Sequence, residues 1–187
     1  MIKLPEIKER NIYFADEVDL KQISAVTQAI IEINESDSEL EKIAEVAGFT
    51  YNHRPINFYI DSYGGSVYQC LGLISIIEHS KTPVHTIVTG CAMSAGFLIS
   101  IAGHKRFGYG KSTYMYHQIS NCFHGAIADM EDDLIEVKRL QKLVETHIMQ
   151  HTNITEKQLK EAYITKKDWY IDSQDAIRLG VIDELTI

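Results

Sequence analysis

Only three cysteines occur in 187 residues. Cys70, Cys91 and Cys122 are odd in number and lack metal-type spacing, which excludes a disulfide framework and reads as reduced thiols in a reducing compartment. Long hydrophobic runs are also missing: nothing approaches the roughly 20 apolar residues that span a bilayer. The opening M-I-K-L-P-E-I-K-E-R is too polar for a signal peptide, so a cytoplasmic location is expected. Positive charge is short, with 18 Lys and Arg against 26 Asp and Glu and a formal charge of -8. That balance argues against a nucleic-acid partner, whose phosphates require clustered cations. There is no repeat, no linker, no phosphate-cradling G-x-x-x-x-G-K-[ST] and no H-E-x-x-H. What is present is a hydrophobic content of 45% and a charged content of 24%, those of one soluble globular domain over residues 1–187.

The chain reads as strands alternating with helices. Asn11 to Phe14 is a short strand, and Asp19 can cap a helix from Leu20 to about Asn34, where Ile23, Val26, Ile30 and Ile31 recur near helical spacing. The charged piece from Ser36 to Arg54 reads as an insertion holding a further helix stopped at Gly48. Pro55 to Ile60 is near-continuously apolar, as a buried parallel strand is. Gly64-Gly65 makes a turn before a helix from about Ser66 to His79. Val84 to Val88 is the next strand, and it leads to G-C-A-M-S-A-G at Gly90 to Gly96. Further strands are expected at Arg106 to Tyr109 and Thr113 to Gln118. A long helix follows from Ala126 to about His151, striped by Ile127, Met130, Leu134, Val137, Leu140, Val144 and Ile148. Thr155 to Ile164, Trp169 to Ile171, Ser173 to Leu179 and Val181 to Leu185 complete an α/β chain with helices on a mostly parallel sheet.

Ser94 stands among small residues at a strand end and a helix start, which suits a nucleophile: a substrate carbonyl has room, and free helix N–H groups can hold developing negative charge. The plainer alternative is a helix cap. Gly64-Gly65 ends the preceding strand, so the N–H groups of Gly65 and Ala95 can face one space as an oxyanion hole. A serine nucleophile needs a base and the base an orienting acid. His117, near a strand end, is the candidate base, with His104 and His124 as rivals. Asp168 is a candidate acid, with Asp172 and Asp175 as alternatives, and residue patterning alone leaves that choice open. His147 and His151 are four apart on one helix, a metal-compatible spacing, but without a third ligand they read as a solvated face. No metal and no organic cofactor is expected.

Six segments in order carry a resemblance. E-R-N-I-Y-F at Glu9 to Phe14, Y-I-D-S-Y-G-G-S at Tyr59 to Ser66, G-C-A-M-S-A-G-F-L at Gly90 to Leu98, Y-M-Y-H-Q at Tyr114 to Gln118, G-A-I-A-D-M-E at Gly125 to Glu131 and K-K-D-W-Y-I-D-S-Q-D-A-I-R-L-G-V-I-D at Lys166 to Asp183 are similar to segments of the Clp protease proteolytic subunit (ClpP) family. The resemblance implies a ClpP/crotonase-like fold of stacked ββα units with a long protruding helix. It also implies Ser94, His117 and Asp168 as a catalytic triad, and Gly65 and Ala95 as oxyanion donors. It implies self-association into rings, as a stacked double ring around a chamber, with unfolded protein or peptide as substrate and a hexameric Clp ATPase as a possible partner. A noncatalytic ring subunit and a crotonase-like acyl-CoA enzyme are the alternative functions. The chain departs from the family's usual residues at Asp61 (asparagine), Tyr63 (proline) and Ile119 (proline), and little of the family's axial segment precedes Glu9.

Overall fold

The computed structural model describes residues 8–120, 125–165 and 167–186. Cys122 and His124 lie outside them. In chain order the elements are β1 (Asn11–Phe14), α1 (Leu20–Val46), β2 (Ile56–Ser62), α2 (Val67–Glu78), β3 (Val84–Met93), α3 (Ala95–Ile101), β4 (Lys105–Tyr109), β5 (Thr113–Tyr116), α4 (Ile127–His151), α5 (Glu156–Thr165), β6 (Trp169–Asp172), α6 (Ser173–Arg178) and β7 (Glu184–Thr186). Strands β1-β2-β3-β4-β7 form a parallel sheet in that order. β3 is long enough to fork: His85 to Val88 pair with β4, whereas Cys91 to Met93 pair with β5. β5 then takes β6 as an antiparallel partner. The fork brings the ends of β3 and β5 side by side, and the candidate site is built there.

Apolar side chains drive the layering. Ile56, Phe58 and Ile60 of β2, Leu73 and Ile77 of α2, and Phe97, Ile99 and Ile101 of α3 are all fully buried. Burying each such side chain contributes about 1.5–3 kcal/mol. Caps sit where the residues invite them: the Asp19 side chain accepts from the Gln22 N–H, and Thr155 and Gln158 cap α5 reciprocally.

One expectation fails. The helix expected to end near Asn34 runs unbroken to Val46, so residues 36–46 continue α1 and are not a separate piece. The reason is Asp37, which follows Ile23, Val26, Ile30 and Ile33 on the buried stripe. Its carboxylate is shielded from solvent but fully partnered: Arg10 Nη1 at 2.8 Å, Tyr51 OH at 2.7 Å and Thr82 Oγ1 at 2.6 Å all donate to it. Burial pushes the Asp37 carboxyl upward, but the hydrogen bonds from Arg10, Thr82 and Tyr51 outweigh that and hold it at about 2. A charged residue thus occupies a core position because its compensation arrives from the residue before β1, from the segment after α1 and from the turn before β3.

The long helix α4 is two things at once. Its C-terminal half packs through Leu140, Val144 and Ile148, whereas Ile127, Leu134 and Ile135 in its N-terminal half are exposed. Among the described residues, no helix is long and apolar enough to cross a membrane.

Candidate active site

Ser94 joins β3 to α3 and is the one non-glycine described residue with positive φ, at 52°. Such a backbone costs of order 1–3 kcal/mol and persists only where the surroundings impose it. Here the Ser94 N–H donates to Met115 O at 2.9 Å, and α3 begins directly afterwards. The side chain makes no cap hydrogen bond, which removes the cap reading. Instead Ser94 Oγ lies 2.8 Å from His117 Nε2. His117 sits one residue past β5, where the fork has set β5 beside the last residues of β3.

Support for His117 comes from α4. Gln141 Nε2 donates to the Tyr116 hydroxyl at 2.9 Å, while Gln141 Oε1 accepts from the Ile119 N–H at 2.9 Å. Proline at position 119 has no N–H to give, so the departure at Ile119 adds a tether. Sequence reasoning missed Gln141, which lies far along the chain on another element.

The Gly64-Gly65 turn packs directly on Ser94. A Cβ on Gly64 would stand 2.7 Å from Met93 O, 2.8 Å from Ser94 Cβ and 3.0 Å from Ala95 N, and its φ of 106° independently calls for glycine. Gly65, at φ 147°, is bridged to Val18, with Val18 N donating to Gly64 O and Ser66 N to Val18 O, both at 2.8 Å. Ser62 braces the turn: its Oγ accepts from the Gly64 N–H at 3.2 Å and donates to Asp16 O at 2.6 Å. The bridge spends the groups on either side of Gly65, and no acceptor among the described residues takes the N–H of Gly65 or of Ala95. Asp61 also finds a use: where β3 bulges past β2, its Oδ1 accepts from the Cys91 N–H at 2.8 Å.

The other candidates separate by what already holds them. His104 Nδ1 accepts from the Val84 N–H at 3.0 Å, a structural bond. Asp172 caps α6 through the N–H groups of Gln174 and Asp175, and Asp175 pairs with Arg178. Asp168 directly precedes Trp169, and His117 directly follows Tyr116, the pair at which the β5–β6 ladder ends. Its side chain is exposed, and no hydrogen bond joins it to His117 among the described residues. Neither described cysteine is a rival nucleophile: burial raises both thiols, Cys91 to about 11 with Asp61 adding to the effect, and Cys70 further.

His147 corrects a second expectation. It is buried, not solvated, and Glu78 at the end of α2 stands beside both it and His151. Sequence spacing could reveal the two histidines but not their neighbour on another helix.

The family model of the Clp protease matches residues 5–187. Over 134 residues the chain is 33% identical to the ATP-dependent Clp protease proteolytic subunit 2 of Treponema pallidum, covering 71% of this chain and 66% of that protein. It is 26% identical over 181 residues to the ATP-dependent Clp protease proteolytic subunit of Deinococcus radiodurans, covering 96% and 81% respectively. A Prochlorococcus marinus proteolytic subunit 1 is 26% identical over 179 residues, or 95% of this chain and 84% of that one. The chain therefore belongs to the Clp protease family.

Proposed function

We propose that the protein is a serine endopeptidase of the ClpP type, hydrolysing peptide bonds of unfolded chains. The observation that carries this is the Ser94 Oγ to His117 Nε2 contact of 2.8 Å on a strained strand-to-helix turn. In this reading His117 takes the Ser94 proton as Oγ attacks the scissile carbonyl, and the N–H groups of Gly65 and Ala95 receive the oxyanion. The bond between carbonyl carbon and amide nitrogen breaks as His117 returns the proton to the leaving amine. Water, activated by the same histidine, then releases the acyl group and restores Ser94. No step calls for a metal or an organic cofactor. Asp168 is the acid assigned to His117: it lies just past the end of the β5–β6 ladder, as His117 does, and Asp172 and Asp175 are engaged elsewhere.

Association into stacked rings around a chamber belongs to the same reading. The exposed apolar residues Ile127, Leu134 and Ile135 on the projecting half of α4 support it, since such a face calls for a partner and a second copy supplies one. A hexameric Clp ATPase would then feed the chamber. A noncatalytic ring subunit is the second reading, favoured by the absence of a described bond between Asp168 and His117.

Hydrolysis of a fluorogenic peptide by the assembled protein separates the two. Peptidase activity that Ser94→Ala lowers by at least about 10⁴-fold, with assembly unchanged, is the expected result. Activity unaffected by that change would refute Ser94 as nucleophile, and an inactive parent assembly would favour the noncatalytic subunit.

A further inference from the structure

Glu78, His147 and His151 meet where the end of α2 faces the C-terminal turns of α4. Two backbone carbonyls fix how the imidazoles present themselves. His147 Nε2 lies 3.0 Å from Leu98 O, and His151 Nδ1 lies 2.9 Å from His147 O. A carbonyl oxygen can only accept, so each of these ring nitrogens carries a hydrogen and donates it. In the neutral rings the other nitrogens, His147 Nδ1 and His151 Nε2, are left as lone pairs. Both turn toward Glu78 Oε1, at 3.5 and 3.3 Å. Three electron-rich atoms thus converge, all within 4.8 Å of one another.

We infer that these three residues bind one divalent cation of the zinc type. Several features agree on it. Tetrahedral zinc with bonds of about 2.0–2.1 Å spaces its ligand atoms about 3.3–3.4 Å apart, close to the two contacts with Glu78. Two imidazoles and one carboxylate suit zinc better than magnesium or calcium, which take oxygen ligands. Imidazoles that ligate a metal characteristically give their other N–H to a carbonyl or carboxylate, which is how both rings are held here. His147 is buried and fixed, whereas His151 and Glu78 are about one-third exposed, so an ion can enter and keep water as its fourth ligand. The bound ion would clamp the C-terminal end of α2 to the root of α4. Through His147 it would also touch α3, because Leu98 lies one turn beyond Ser94. This inference stands apart from the peptidase reading and does not use Ser94 or His117.

The test is zinc binding to the chelator-stripped full-length chain, followed by calorimetry, with cobalt as a coloured stand-in. One equivalent of Zn²⁺ per chain is expected at neutral pH, with a raised Tm and the intense visible bands of four-coordinate Co²⁺. His151→Ala should weaken binding by about 100-fold or more and abolish the bands. Glu78→Gln should also weaken it, and His117→Ala should leave it intact. The metal-free variants should melt close to the metal-free parent, since His151 and Glu78 are partly exposed. Absence of zinc binding, undiminished binding in both His151→Ala and Glu78→Gln, or loss of binding in His117→Ala would overturn the assignment.

Discussion

Two polar constellations, Arg10–Asp37 and Ser94–His117, are built in opposite ways. Around Asp37 the carboxylate and all but one of the surrounding donors are matched. Arg10, Tyr51 and Thr82 surround its carboxylate, Arg10 Nη1 also donates to Arg54 O, and Arg10 Nε alone lacks a partner among the described buried side-chain atoms. Around Ser94 the polar groups are left over. Its φ is strained, the N–H groups of Gly65 and Ala95 have no acceptor among the described residues, and the Ser94 hydroxyl meets a single imidazole. A closed network holds a fold together but has nothing to offer a substrate. An open one costs stability and keeps donors ready for charge that develops only during reaction. The buried ion pair therefore reads as structural and the serine site as chemical, although both are built from ordinary polar side chains.

That contrast can be broken at either end. The largest effect expected is on the open side: Asp168→Asn should lower peptide hydrolysis by about 10⁴-fold while leaving Tm nearly unchanged, because the residue is exposed. Measuring kcat and Tm together checks this, and full activity would detach Asp168 from His117. On the closed side, Asp37→Ala should cost about 3–5 kcal/mol in chemical denaturation, because it strands the Arg10 guanidinium. A change under about 1 kcal/mol would show that the network is dispensable. The smallest effect concerns pH. The Asp37 carboxyl is held at about 2, below its usual 3.8, so its stabilisation is present above about pH 4 and is lost as pH falls toward 2. Acid titration of the folded protein should show that loss, and Asp37→Asn should flatten it over the same window.

Local patterns made much of this legible. Ser94 and His117 could be singled out as candidates because each sits at a strand end, but it was the resemblance of their segments that chose His117 over His104 and His124. The structure brings the two side chains together beside the Gly64-Gly65 turn. The alternation of strands and helices was readable from hydrophobic spacing alone. What escaped was long-range compensation. Asp37 looked like part of a charged insertion because Arg10, 27 residues away, and Thr82, 45 residues away, cannot be paired with it by inspection. The same limit hid Glu78 beside His147 and His151, so a buried histidine passed for a solvated one. The stripe Ile23, Val26, Ile30, Ile33 did carry the clue that α1 continues, since Asp37 falls on the next turn of the same face.

The most direct measurement is reaction of the purified protein with a fluorophosphonate, followed by mass-spectrometric mapping of the modified peptide. A site preorganised as described should be labelled at Ser94, and labelling should disappear on unfolding and in His117→Ala. No modification of Ser94 in the folded assembly, or modification that persists in the unfolded chain, would contradict a serine activated by His117.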